Sequence, residues 1–108
     1  MIIHGIIYNT AEFNVKEITL PFYIKVEPIF KSDDYNISFY DSVYNKCFAQ
    51  ITRNRYVYVR FDLNHNLNPV HSLSEALSYL TYRFQLSSVD RVYDELNSIN
   101  LLKELSEC

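Results

Sequence analysis

The hydrophobic side chains of this chain follow two different periods. Over residues 1–61 they alternate with polar side chains, as in a β-strand that buries one face. From residue 73 they recur at the spacing of an amphipathic helix. The clearest strand is Tyr56 to Phe61, because β-branched and aromatic side chains dominate it and it alternates strictly. The change of period predicts strands first and helices afterwards, which is an α+β order.

Four to five strands are predicted between residues 2 and 61, joined as an antiparallel β-meander. The strand patterns cover residues 2–7, 21–30, 35–40, 47–51 and 56–61, and residues 13–18 are a candidate extension of the first strand. Lys31 to Asp34 predict a turn between the second and third strands, because Asp and Ser side chains bond the backbone ahead of them. The polar segment from Asp62 to His71 is predicted to end the sheet.

Two helices are predicted after the sheet, near residues 73–86 and 88–105. Ser72 and Glu75 match the S-x-x-E capping box that begins a helix. Two apolar stripes follow at helical spacing, the first formed by Leu73, Ala76, Leu77, Leu80 and Phe84, the second by Val89, Val92, Tyr93, Leu96 and Ile99. The polar residues around Asn97 are a candidate break. We expect both helices to pack on one sheet face, in a single domain of residues 1–108.

The composition excludes several kinds of site. Glycine occurs once, at Gly5, so the chain has no glycine-rich loop of the type that cradles phosphate groups. The two cysteines, Cys47 and Cys108, do not form a disulfide framework. The apolar start of the chain lacks a basic region before it, and no apolar run approaches the roughly 18 residues of a membrane span. These features predict a cytoplasmic protein without a membrane partner.

Charge is divided unevenly between the two parts of the chain. Residues 1–60 hold seven basic and six acidic side chains, whereas residues 61–108 hold three basic and seven acidic ones. The strand region is therefore +1 and the helical region −4, in agreement with the net charge of −3. This balance opposes a dedicated nucleic-acid binder, whose affinity comes mostly from neutralising phosphates.

Candidate catalytic and metal-binding residues are few. His65 and His71, with Asp62 upstream, form the only histidine cluster, but their spacing matches no helix-face pair and no nearby cysteine completes a tetrahedral set. Cys47 lies within a predicted strand, where a buried and unreactive thiol is the usual state. We therefore expect no enzyme activity, no metal and no cofactor, and an uncharacterised enzyme would have to use the histidine cluster.

Tyrosines mark one face of the predicted sheet. If the helices cover the apolar face, the opposite face carries Tyr23, Tyr40, Tyr56 and Tyr58, with Lys25, Gln50 and Arg60 among them. Tyrosine is enriched at protein interfaces because it offers a large contact area and a hydroxyl at little rotamer entropy. Its high β-propensity is an equally good explanation of the pattern.

An RNA-binding alternative depends on the same strand. Basic residues interleave with aromatic ones from Arg53 to Phe61, and Tyr56 and Tyr58 share a face, as base-stacking aromatics do in an RRM sheet. The strand lacks the glycine of that motif, however, and an RRM alternates strands with helices. Nucleic-acid binding is therefore the second hypothesis.

The second predicted helix is acidic away from its apolar stripe. Asp90, Asp94 and Glu95 lie on it, with Glu104 and Glu107 near its end. A solvated helix face explains them, and so does a negative patch that steers the protein toward a basic partner.

The function predicted from these features is that of a non-enzymatic inhibitor that binds a protein. It would be an immunity protein that neutralises a toxic enzyme such as a nuclease, or a phage-encoded inhibitor of a host enzyme. The predicted contact residues are Tyr23, Tyr40, Tyr56, Tyr58, Asp90, Asp94 and Glu95. The alternative is a small nucleic-acid-binding regulator that uses the Tyr56/Tyr58 strand face.

Overall fold

A six-stranded sheet and two helices make up the described part of the chain. The computed structural model describes residues 2–13, 15–29, 34–54, 56–61, 66–87 and 89–106, and of residues 54, 56–61, 66–68 and 99–106 it describes only the backbone. The strands are β1 (Ile2–Ile7), β2 (Leu20–Pro28), β3 (Tyr35–Asp41), β4 (Cys47–Asn54), β5 (Tyr56–Phe61) and β6 (Asn66–Val70), and the helices are α1 (Leu73–Phe84) and α2 (Asp90–Ser106). The predicted α+β fold, with strands before helices, is confirmed.

The strands form an antiparallel meander in which each one pairs with its neighbours in sequence. Five of them lie within residues 2–61, as predicted. The segment from Asp62 to His71 does not end the sheet, because it contains β6, which pairs with β5. Its asparagines and Pro69 obscure the strand pattern. At a sheet edge they are tolerated, since one side of the strand needs no hydrogen-bonding partner.

The sheet has a covered face and an outer face. The register aligns Ile3, Ile24, Phe39 and Ala49 across four strands, and all four side chains are buried. The helices bury their apolar stripes against this covered face through Ala76, Leu77, Leu80, Phe84, Val92 and Leu96. α1 lies against β5 and β6, and α2 against β2. The prediction that both helices pack on one sheet face is therefore confirmed.

A bulge between β3 and β4 adds an aromatic side chain to the core. The register shifts after Phe39, so that Tyr40 pairs with Cys47 and Phe48 turns to the covered face. The Phe48 ring lies 5.0 Å from Phe84 and 5.2 Å from Phe13, centroid to centroid. Phe13 belongs to a 3-10 helix, Ala11–Phe13, so residues 13–18 do not extend the first strand.

Both ends of α1 are fixed by hydrogen bonds. Ser72 is the N-cap, as predicted: its hydroxyl accepts from the Glu75 amide at 3.1 Å, and the Glu75 carboxylate accepts from the His71 amide at 3.1 Å. Gln85 ends the helix in the left-handed conformation, with φ 50°. α2 then runs unbroken from Asp90 to Ser106, so the predicted break near Asn97 is wrong.

The linker between the helices crosses the edge of β1. The Ser87 amide donates to the Ile6 carbonyl at 3.0 Å, and the Ile6 amide donates to the Ser87 hydroxyl at 2.8 Å. This approach requires Gly5, because a Cβ there would lie 2.6 Å from the Phe22 ring and 2.8 Å from the Ser87 carbonyl oxygen. The single glycine of the chain therefore sets where the two helices meet.

Candidate functional site

The residues predicted for partner binding lie on opposite sides of the sheet. Tyr23 and Tyr40 are on the outer face, whereas Asp90, Asp94 and Glu95 are on α2, which packs against the covered face. A standard interface buries about 800 Å² on each partner, so one contact of that size uses one side or the other. The predicted set is therefore two separate candidate surfaces.

On the outer face, Tyr23 and Tyr40 form a fixed aromatic pair. They lie directly opposite each other in β2 and β3, and their rings stack at 5.1 Å with an angle of 14°. The Lys25 ammonium lies 5.6 Å from the Tyr40 ring centroid. The Tyr23 hydroxyl donates to the Asn45 side chain at 3.3 Å. Both tyrosines are half-buried, so this pair offers limited free area to a partner.

The turn that supplies Asn45 is organised by a buried carboxylate. Asp41 is 3% exposed and accepts from the Tyr44 amide at 2.5 Å and from the Lys46 amide at 3.2 Å. These bonds hold Asn45 at φ 57°, a left-handed conformation that asparagine tolerates better than most residues. The Tyr23 hydroxyl thus bonds to a residue whose backbone is held in place by hydrogen bonds within the turn.

The backbone register separates the positions of Tyr56 and Tyr58 from those of Tyr23 and Tyr40. Tyr58 pairs with Thr52 and Pro69, and β4 separates β5 from Tyr40. The register places Tyr58 in line with Thr52 of β4 and Asn36 of β3. Asn36 is four positions from Tyr40, which is about 13 Å along the strand. In the strand register the four tyrosine positions therefore form two separate pairs. The side chains of Tyr56 and Tyr58 lie outside the described residues.

The acidic residues of α2 lie partly beside a groove. Asp90 and Asp94 are exposed and one helical turn apart, and Glu95 is half-buried. Asp90 lines an open groove of about 620 Å³ between α1 and α2. The side chains of Glu104 and Glu107 lie outside the described residues.

The groove has an apolar floor and aromatic walls. Leu77 and Leu86 are 2% and 7% exposed, whereas Tyr82 is 84% exposed and Tyr93 36%. The Tyr93 hydroxyl donates to the Ser74 hydroxyl at 3.1 Å, which ties α2 to α1 beside the groove. The full lining is Leu77, Ser78, Thr81, Tyr82, Leu86, Val89, Asp90 and Tyr93.

A second hollow lies on the other side of Tyr82. It has a volume of about 420 Å³ and is lined by Asn9, Tyr79, Tyr82, Arg83 and Gln85. The Arg83 guanidinium donates to the Tyr79 hydroxyl at 3.2 Å, and the Asn9 side chain donates to the Arg83 carbonyl at 2.6 Å. Tyr82 thus stands as a ridge between two hollows. We call the surface formed by Tyr79, Tyr82, Tyr93, Asp90 and Asp94 the helical surface.

The sequence reasoning missed Tyr79 and Tyr82. Both lie off the apolar stripe of α1, at positions where a soluble helix normally carries polar side chains. Large aromatic side chains at such positions indicate an exposed aromatic surface, and this could have been inferred from the sequence. Tyr93 was assigned to the apolar stripe of the second helix, but its ring is at the edge of that stripe and partly exposed.

The other candidate residues do not assemble into a reactive site in the part of the chain that is described. No group of three or more His, Cys, Asp or Glu side chains there is placed to hold a metal ion. Cys47 is half-buried, and its thiol donates to the Ala49 carbonyl at 3.3 Å. His71 is exposed, and Asp62 and His65 lie outside the described residues.

None of the described helices combines the length and the apolar character that crossing a membrane requires. No protein-family model, no curated protein and no solved structure matches this chain. Its own surface is therefore the evidence for its function.

Proposed function

We propose that this protein is a non-enzymatic inhibitor that binds a basic protein through the helical surface. The observation that carries the proposal is Tyr82, a large aromatic side chain that is 84% exposed between two hollows. A side chain so placed contributes nothing to the core of its own molecule. It is well placed to bury its ring against another one.

Tyrosine suits this role for a physical reason. It buries a large area on binding and loses the freedom of only two side-chain torsions, so ordering it costs little entropy. Tyr79 and Tyr93 flank Tyr82 and are 44% and 36% exposed. Interface energy is usually concentrated in a few such aromatic residues surrounded by weaker contacts.

The shape of the surface favours a macromolecular partner over a small ligand. Small-molecule sites usually enclose most of the ligand surface in one concave pocket. Here both hollows are open, and Tyr82 separates them as a ridge. A protein whose surface has a complementary ridge and groove would fit this shape.

The charge of the helical region favours a basic partner. Residues 61–108 carry a net charge of −4, and Asp90 and Asp94 are exposed on α2. A nuclease or another enzyme that binds nucleic acid has a basic surface, which a negative surface attracts and can cover. Immunity proteins against toxic enzymes and phage-encoded inhibitors of host enzymes are the classes that fit this chemistry.

The proposal is tested by capture followed by an activity measurement. The tagged protein is used to capture binding proteins from a lysate of its source, and the activity of each captured enzyme is measured as the purified protein is added. We expect a basic enzyme whose activity falls in proportion to the complex formed. Capture without loss of activity would contradict the inhibitor proposal.

The nucleic-acid alternative makes a different demand on the same protein. Binding through Tyr56 and Tyr58 should be seen with single-stranded RNA at low salt and should weaken steeply as salt rises. Charge reversal at Asp90 and Asp94 should strengthen it. If micromolar protein binds no RNA at low salt, this alternative is wrong.

A further inference from the structure

The floor of the groove between α1 and α2 suits the stem of a long side chain. Leu77 and Leu86 are almost fully buried at its base, and half-buried Val89 beside them adds apolar surface. The methylene groups of arginine and lysine pack on such surfaces while the charged end stays at the rim. Aspartate and glutamate have shorter stems and gain less from the same floor.

The walls of the groove suit a cation. Tyr82 and Tyr93 both line it, and they are 84% and 36% exposed, so both side chains have surface available to an incoming group. The face of a tyrosine ring carries negative charge density and attracts a guanidinium or ammonium group. A planar guanidinium also stacks on a ring, which an ammonium group does not do.

The charge of the lining points the same way. It includes one acidic residue, Asp90, and no basic residue among the described ones. Asp90 begins α2, where the helix dipole supplies roughly half a positive charge, so the full negative charge of the carboxylate outweighs it. Asp94, one turn further along, adds to the negative potential. An anionic ligand is disfavoured because Asp90 already occupies the end of the helix that would attract it.

We infer that this groove receives an arginine side chain of the partner protein, with lysine as the weaker substitute. The inference rests on the proposed function, because it names the residue type that the helical surface recognises. The methylene stem lies on Leu77 and Leu86, the guanidinium faces Tyr82 or Tyr93, and Asp90 balances its charge. The partner therefore presents an exposed arginine at the centre of its contact surface.

The test uses a single arginine and needs no partner. N-acetyl-arginine amide is titrated into the full chain at low salt, with N-acetyl-citrulline amide as an uncharged probe of nearly the same shape, and backbone amide shifts are followed by NMR. We expect saturable shifts at Ser78, Thr81 and Asp90, with a dissociation constant on the order of millimolar. The citrulline probe should leave these amides nearly unchanged.

Substitutions assign the binding to the groove. Asp90→Asn and Tyr82→Leu should each weaken arginine binding about two- to fivefold, the range expected for one exposed cation–aromatic or ion contact. Glu27→Gln and Tyr44→Leu are matched controls, because both residues are exposed and neither lines the groove. Arginine shifts that persist in Asp90→Asn, or equal shifts with citrulline, would overturn the inference.

The two proposals fail separately. If the complex with an inhibited enzyme forms but arginine amide does not bind the groove, the inhibitor proposal stands and the groove inference is wrong. If arginine amide binds as expected and the captured enzyme is not inhibited, the groove recognises arginine and the inhibitor proposal is wrong.

Discussion

Gly5 is the residue on which the position of the helices depends most directly. A Cβ there would lie 2.6 Å from the Phe22 ring and 2.8 Å from the Ser87 backbone oxygen, and the backbone cannot yield as a flexible side chain would. We expect Gly5→Ala to lower the free energy of unfolding by about 1–3 kcal/mol, the usual range for overpacking. Urea denaturation measures this change in the free energy of unfolding.

His4→Ala is the control, because His4 is an exposed neighbour in the same strand. It should change the free energy of unfolding by less than about 0.5 kcal/mol. Equal effects of the two substitutions would contradict the packing argument.

Tyr35 gives the stability of the protein an alkaline limit. Burial raises the pKa of its hydroxyl above the ordinary value of 10.0, although the Arg53 guanidinium beside it opposes the shift. A raised pKa means that the folded state holds its proton more tightly than the unfolded state does. The resulting stabilisation is complete below about pH 10 and is lost as pH rises through the folded-state pKa.

Tyr35→Phe should therefore make stability less sensitive to alkaline pH. The variant removes the hydroxyl that must ionise, so its free energy of unfolding should fall less than that of the wild type between about pH 9 and about pH 11. All other side chains are the same in both proteins, so their contributions cancel in the comparison. Parallel curves for the two proteins would show that Tyr35 does not contribute.

At the scale of elements, α1 depends on its first turn. The Ser72 hydroxyl accepts from the Glu75 amide, which would otherwise lack a partner at the helix start. Ser72→Ala should lower the free energy of unfolding by about 1 kcal/mol, measured from the denaturation midpoint. Ser78→Ala, at an exposed position inside the same helix, should leave stability unchanged or slightly higher, because alanine is the better helix former. An unchanged midpoint in Ser72→Ala would mean that the cap is redundant.

The elements were largely predictable because hydrophobic periodicity and capping residues are local signals. Five strands, both helices and the cap at Ser72 follow from them. β6 was missed because its asparagines and Pro69 suit a loop as well as an edge strand, and only pairing with β5 decides between the two. The role of Phe48 was hidden for a similar reason. The bulge that turns its ring inward arises from pairing with β3, which no short stretch of sequence encodes.

The candidate site was less predictable than the fold. Asp90 and Asp94 were found from charge alone, and Tyr23 and Tyr40 from alternation. That these two sets lie on opposite sides of the sheet follows only from the packing of α2. Tyr82 lies off the apolar stripe of α1, which indicates an exposed aromatic side chain. The two hollows beside it arise from the helix–linker–helix arrangement that Gly5 permits, so the sequence pattern could not predict them.

At the scale of the whole molecule, the uneven charge should control how fast a basic partner is found. Replacing Asp90 and Asp94 with lysine should slow association with the captured enzyme, and the difference should shrink as salt screens the charges. Stopped-flow association rates at low and high salt measure this. Glu27→Lys, on the outer face, should have a smaller effect. An association rate that changes neither with the lysine substitutions at Asp90 and Asp94 nor with salt would contradict electrostatic steering by the helical surface.

The most direct test of the account is the dissociation rate of the complex after substitutions on the two sides of the sheet. Tyr82→Ala should raise this rate at least about tenfold, because it removes the ring expected at the desolvated centre of the contact. The double substitution Tyr23→Ala/Tyr40→Ala should leave the rate close to that of the wild type, once each variant is shown to be folded under the conditions of the measurement. The reverse ranking would contradict the account and would place the contact on the outer face.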